Sequence, residues 1–305
     1  MLQQLVNGIF LGSLYALFAV GYTLIFGVLD ILNLAHQAVF MLGAVVALLA
    51  VLYLQVNLGV ALLLALAVTG LVGLLLDRVG FAPLRRRPNT QFAGMISSIA
   101  LALLFEATVQ GLFDRGILDP NPARFPAGVA PAGSLDLPGM VIPWVRVLIV
   151  VVAIAMMAGL TVMLRRTRLG KAIRAVAENQ RAARLIGINV DRIIALSFVI
   201  SSALGGAAGV LYALAVNSIT NDMGRALELK GLAVIIVGGM GSVPGAVLGG
   251  FLLGLAEVST FIIDGFGMLP FQLSRWRDAV AFTLLFLLLI VRPTGLLGRR
   301  AAREA

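Results

Sequence analysis

Residues Leu5–Val28 read LVNGIFLGSLYALFAVGYTLIFGV, an apolar run without one charged side chain. A membrane helix needs roughly 20 mainly apolar residues to cross about 30 Å of hydrocarbon, and this run is long enough. No positive region precedes it and no small-residue cleavage site follows, so it reads as a retained first membrane segment rather than a secretory signal. Seven further runs stand out: Gln37–Leu54, Val60–Leu76, Phe92–Phe113, Val141–Leu164, Ile193–Val216, Val243–Ile263 and Ala279–Val291. The last is short and is expected to borrow Leu273 and Trp276. A ninth stretch, Gly231–Met240, is too short to cross unless it extends back toward Ala226.

The composition agrees. Of the 305 residues 60% are apolar and 12% charged, and mean hydropathy is +1.04. A soluble domain carries roughly 25% charged residues, so this chain cannot cover a water-facing surface, and disorder needs the opposite bias. The expected fold class is all-α: a polytopic helical membrane protein of eight to nine transmembrane passages, with at least one broken helix. The chain reads as one transmembrane domain, residues 1–305. The net charge of +9 does not indicate nucleic acid, because the cations sit in short loops between apolar runs.

Those loops set orientation, since Lys and Arg are retained on the cytoplasmic side. Residues 77–91 carry four Arg against one Asp, residues 165–192 eight Lys/Arg against Glu178 and Asp191, and residues 292–305 four Arg against one Glu. The loop 114–140 is net negative and rich in Pro and Gly. The basic segments are therefore expected in the cytoplasm and the proline-rich loop outside. An odd number of passages then leaves the N-terminus periplasmic and the C-terminus cytoplasmic.

Two stretches interrupt the apolar pattern: Gly27–His36, with Asp30, Asn33 and His36, and Gly238–Gly245 (GGMGSVPG). Freed backbone groups at membrane depth are tolerated only inside protein or beside a water-filled path, so these are pathway candidates; tight turns at the interface are the alternative. Small residues recur at four-residue spacing (Gly8/Gly12, Gly205/Gly209, Gly241/Gly245, Gly245/Gly249, Gly250/Gly254), which suits close helix packing. No internal repeat is visible.

Several chemistries are excluded. There is no Cys and only one His, so disulfides, thiol nucleophiles and multi-His metal sites are out. Gly170-Lys171 is the one Gly-Lys pair, and Arg165 stands where a phosphate-binding loop needs glycine. Glu106 and Glu257 are the clear carboxylates within spans, with Asp30 at a boundary; each is a functional candidate by position. Their scatter argues against an ion-coupled carrier, so uphill transport would need outside energy.

The loop 165–192 supplies a route. Residues from Lys171 to Leu185 are rich in helix formers, with Ile173, Val176, Ala177 and Ala183 on one face and a stop near Gly187. This is an amphipathic helix outside the bilayer, suited either to a partner or to anionic headgroups.

The stretch Ala177–Asn189 (AENQRAARLIGIN) resembles the cytoplasmic coupling segment of ABC importer permeases. More widely, the chain resembles the LivH-type permease family of branched-chain amino acid ABC importers. The matching pieces are Asn7-Gly8, Leu11-Gly12-Ser13, Tyr15-Ala16-Leu17, Gly21-Tyr22-Thr23, Asn33–His36, Leu185–Asn189, Gly238–Ala246 and Arg292–Gly298, in that order. One departure is visible: the family usually has glycine and then an acid after the histidine, and here stand Gln37 and Ala38.

The resemblance implies a permease subunit in the bacterial inner membrane, surrounded by lipid. Its partners would be a second homologous permease, two cytoplasmic ATP-binding subunits and a periplasmic solute-binding protein. ATP and Mg would be bound by the ATPase partners and no cofactor by this chain, which has no ATPase site of its own. The coupling residues would be Glu178, Asn179, Arg181, Ala182 and Gly187. The translocation pathway would draw on Asn33, His36, Gly238, Gly239, Gly241, Ser242 and Glu257. The nearest alternatives are the same machine carrying urea, short amides or another small organic solute, then a self-sufficient secondary carrier or channel.

Overall fold

The structure is a computed structural model that describes residues 2–85, 90–118, 120–138, 140–265 and 272–298. Arg86 and Arg87 of the first basic loop, and Arg299, Arg300 and Arg303 of the tail, lie outside the described residues. Eleven α-helices are described: α1 Leu2–Leu29, α2 His36–Leu54, α3 Leu58–Leu75, α4 Thr90–Asp114, α5 Trp144–Arg166, α6 Arg168–Glu178, α7 Gln180–Leu185, α8 Val190–Val216, α9 Met223–Gly238, α10 Val243–Gly265 and α11 Arg277–Val291. The chain is an all-α polytopic membrane protein, because lipid offers backbone groups no partners and a helix pairs them internally.

Nine helices run between two ends among the described residues. One end gathers the basic segments: Arg85 bonds Asp191 at the start of α8, Gln180 of α7 donates to Val28 O of α1, and Leu297 N of the tail donates to Gly238 O. The other end holds the proline-rich loop, where Val141 N donates to Gln3 Oε1 and Ala123 pairs with Ile219. Seven of the nine are long and apolar enough to cross a membrane. The exceptions are α9 and α11, with 16 and 15 residues. At 1.5 Å per residue they reach only about 24 and 22 Å. A 3₁₀ turn, Leu273–Trp276, leads into α11.

Two boundaries differ from the sequence reading. Val141 does not open α5: it lies in an antiparallel hairpin, β1 Ser134–Leu137 with β2 Met140–Pro143, and α5 starts at Trp144. Pro143 disfavours helical backbone at the residue before it, Ile142, so α5 starts after it. The short ninth stretch is the end of a helix that starts at Met223, well before Gly231.

Helices α1, α2 and α8 are central; α3, α4 and α5 are more exposed. Small residues set the packing. Gly8 and Gly12 of α1 meet Leu255 and Phe251 of α10, while Gly250 and Gly254 meet Ala16 and Gly12, an antiparallel pair with backbones in contact. A Cβ on Gly209 would overlap the Phe40 carbonyl, and one on Gly43 the Gly206 backbone. The recurring small residues thus serve packing within this chain.

These contacts predict that Gly209→Val destabilises the solubilised protein by about 3 kcal/mol or more, since a backbone carbonyl cannot yield. Gly111→Ala and Gly159→Ala, where an added methyl meets nothing within 4 Å, should be neutral or stabilising by up to about 1 kcal/mol. Thermal unfolding of the three variants in detergent checks both.

Candidate functional site

The first interruption is a true break. After α1 the chain turns at Asp30, in the left-handed region at φ 56°, and reaches α2 through non-helical residues 31–35. Two of its backbone donors find partners inside the protein: Leu34 N bonds Ser98 Oγ of α4 at 3.1 Å, and Ala35 N bonds Asn33 Oδ1 at 3.2 Å. Gln91 Nε2 of α4 holds the Asp30 carboxylate at 3.0 Å. This is how lipid tolerates irregular backbone.

α2 therefore starts within the bundle, and its first residue, His36, has no exposed surface. His36 Nε2 lies 3.3 Å from the Phe18 carbonyl, and its ring stands 4.9 Å from Phe18 and 5.5 Å from Tyr22. Gly21 and Gly205 frame the ring, where a Cβ would touch it. Buried atoms without a hydrogen-bond partner include Tyr22 Oη, whose ring meets that of His36, together with His36 Nδ1, Asn33 Nδ2, Gln37 Oε1 and Glu228 Oε1. Such atoms are costly and rare. Asn33 and His36 were candidates from sequence; Tyr22, Gln37 and Glu228 were not.

The second interruption is a tight turn joining α9 to α10, not a gap inside one helix. Gly239 and Gly241 have φ 101° and 80°. Ser242 Oγ accepts from Gly245 N at 3.2 Å, and Gly241 N donates to Thr23 Oγ1 of α1 at 3.1 Å. The C-terminal tail docks here: Leu296 N donates to Val237 O at 2.7 Å and Leu297 N to Gly238 O at 3.0 Å. These bonds satisfy the last carbonyls of α9, which no helix can satisfy itself. Gly238, Gly239, Gly241 and Ser242 therefore sit together at the end of α9, with Gly241 beside Gly27 of α1.

The longer α9 changes the account of the carboxylates. It carries Arg225, Glu228 and Lys230, all upstream of the stretch first assigned to it. Arg225 forms a two-pronged ion pair with Glu106 of α4, its Nε 3.2 Å from Oε1. Lys230 Nζ lies 2.6 Å from Glu257 Oε1 and 2.9 Å from Asp278, while Tyr15 Oη donates to Glu257 Oε2 at 2.9 Å. Glu106 and Glu257, scattered in sequence, are each neutralised by α9. Glu257 stands in a helix-to-helix network rather than beside the His36 cluster.

At the basic end, residues 165–192 fold as two helices rather than one. Thr167 caps α6 by accepting from Gly170 N. Asn179 breaks the run, its Oδ1 accepting from Arg181 N at 2.9 Å and Ala182 N at 3.0 Å. An Asn with this local bond starts a helix more readily than it continues one. Gly187, at φ 85°, closes α7: its N–H goes to Arg184 O and Ile188 N–H to Ala183 O, a Schellman ending. Ile173, Val176 and Ala183 are buried as expected, but Ala177 is exposed. The surprise is apolar: Leu185 is 88% and Ile186 74% exposed. Glu178, Arg181 and Ala182 are also on the surface. Nearby, burial pulls the Arg85 guanidinium below its usual pKa, opposed by its bond to Asp191.

With this geometry in view, known proteins supply the frame. The family model for the permease component of the branched-chain amino acid transport system matches residues 4–289. The chain is 38% identical to the high-affinity branched-chain amino acid transport permease BraD of Pseudomonas aeruginosa, over 98% of this chain and 96% of that protein. It is 34% identical to LivH of Salmonella typhimurium at the same coverage. A probable branched-chain amino acid permease LivH of Methanocaldococcus jannaschii is 25% identical over 96% of this chain and 91% of that one. Full-length matches of this kind leave one assignment: the chain belongs to the branched-chain amino acid transport permease family, as a LivH-type permease.

Proposed function

We propose that this permease is one membrane subunit of an ATP-driven importer for branched-chain amino acids, working by alternating access. The observation that carries the reading is the α6–α7 unit. It offers Leu185 and Ile186 bare at the basic end, where water would otherwise penalise about 1.5–3 kcal/mol of unburied side chain each. Such a knob suits a groove on a cytoplasmic ATP-binding subunit. Gln180 Nε2, bonded to Val28 O at 2.9 Å, ties the same unit to the end of α1. A push on α7 thereby reaches the helix that cradles His36.

The assembly in this reading holds a second homologous permease, two ATP-binding subunits and a periplasmic solute-binding protein. ATP and Mg belong to the ATPase partners. The basic end faces the cytoplasm, following the rule for Lys and Arg, so the N-terminus is periplasmic and the C-terminus cytoplasmic. The cargo follows that of the relatives named above. The ion pairs of Glu106 and Glu257 favour this over a self-sufficient proton-coupled carrier, since a paired carboxylate is poorly placed to exchange protons. Residues Glu178, Asn179, Arg181, Ala182 and Gly187 belong to the coupling surface, and Asn33 and His36 to the pathway, with Gly238–Ser242 as the turn on which α9 and α10 pivot.

Two outcomes test the coupling. Gly187→Pro removes a bonded N–H and forces φ away from the left-handed region, so substrate-stimulated ATP hydrolysis by the reconstituted assembly should be lost. Replacing Leu185 and Ile186 together by Ser should weaken ATPase attachment by about 2 kcal/mol, roughly thirtyfold, measured by pull-down of the tagged chain. Unaltered attachment and unaltered hydrolysis would remove α7 from the coupling role. A milder change, Gln180→Ala, should leave ATPase attached while leucine uptake per ATP hydrolysed falls.

A further inference from the structure

The unpartnered atoms around His36 share a chemical sense. His36 Nε2 faces the Phe18 carbonyl, which can only accept, so in the neutral ring Nε2 carries the hydrogen and Nδ1 presents a lone pair. Gln37 Oε1 and Glu228 Oε1 are acceptors too, and Tyr22 Oη can accept. Asn33 Nδ2 is the lone obligate donor of the set. Acceptors in excess, buried and unsatisfied, complement a group that only donates.

Their placement is shared. Gly224, Glu228 and Gly231 recur at helical spacing on one face of α9. On that face Gly224 lies against the Gln37 backbone and Gly231 against the Phe18 ring. Glu228 sits between them on the same face of the helix. Arg225 faces Glu106 and Lys230 faces Glu257, so among the described residues of α9 both cations are engaged elsewhere. Glu228 Oε1 has no hydrogen-bond partner. The aromatic faces of Phe18 and Tyr22 beside His36 add attraction for a cation.

We propose that Tyr22, His36, Gln37 and Glu228 form a subsite that receives a primary ammonium group, the amino end of the transported amino acid. The subsite rests on the transport reading above and deepens it. Three N–H donors of an ammonium match His36 Nδ1, Gln37 Oε1 and Glu228 Oε1 one to one, with Tyr22 as a fourth contact. A neutral amide or urea would bring acceptors as well as donors, and those would find only Asn33 Nδ2 and the Tyr22 hydroxyl.

The test uses the complete assembly in proteoliposomes with binding protein and internal ATP, reading leucine uptake and its inhibition. The probes are isopentylamine, which is leucine without its carboxylate, and 4-methylpentanoate, which is leucine without its amine. Losing one charge-assisted bond weakens recognition about ten- to a hundredfold. Glu228→Gln should therefore reduce uptake by that order and raise the isopentylamine inhibition constant about tenfold, leaving that of 4-methylpentanoate unmoved. The binding protein is common to all samples, so the change belongs to the permease. Glu228→Asp should recover part of both. If Glu228→Gln does not assemble, Gln37→Leu, which removes one neutral acceptor, gives the same readout. Wild-type constants in either variant overturn the subsite alone. A wild-type assembly without ATP-driven uptake overturns the transport reading and the subsite with it.

Discussion

Backbone touching backbone across glycine is the contact on which this bundle depends. Lipid tails are as apolar as Leu, so no hydrophobic effect holds helices together within the membrane; close van der Waals approach does. α1 meets α10 through Gly8, Gly12, Gly250 and Gly254, and α8 meets α2 through Gly206 and Gly209. The same closeness seals the break between α1 and α2. Gly21 and Gly205 leave room for the His36 imidazole, which sits without exposed surface while α2 starts inside the protein. An irregular stretch at this depth survives because the packing around it excludes lipid.

Charge inside the bundle follows from the second constraint, that an unpaired ion in hydrocarbon is expensive. α9 solves it for two neighbours at once: Arg225 for Glu106, Lys230 for Glu257 and Asp278. Removing one partner of such a pair typically costs about 3–5 kcal/mol. The helix that pairs these ions is also too short to reach across about 30 Å of hydrocarbon. Its last carbonyls are met by the tail residues Leu296 and Leu297. Two strings that are far apart in sequence, Gly238–Ala246 and Arg292–Gly298, thus prove to be halves of one joint.

Most of the architecture was legible in the sequence because hydropathy over a window is a sum, insensitive to detail. The long spans, the basic loops on one end and the break before His36 all follow from it. What stayed hidden was local or relational. The extension of α9 toward Ala226 was foreseen but not its start at Met223, because Arg225 reads as a loop residue until Glu106 is placed beside it. The split at Asn179 was missed because Ala, Arg and Gln around it favour a continuous helix, and one side-chain bond to Arg181 N and Ala182 N overrides that preference. Tyr22 and Gln37 entered the sequence reading only as part of the family pattern and as its departure; burial without a partner is what distinguishes them in the fold.

The departure from the family pattern after His36 gains a physical meaning in this light. Ala38, where the family resemblance leads one to expect an acid, is 1% exposed; a carboxylate there would be buried at the first turn of α2. Helix N-termini favour negative charge, so its absence is not forced by α2 itself. The chain holds a carboxylate on the facing helix instead, at Glu228, one turn from the glycine that touches Gln37. A charge carried on α9 can move relative to α2 when the two helices shift, whereas one at position 38 cannot.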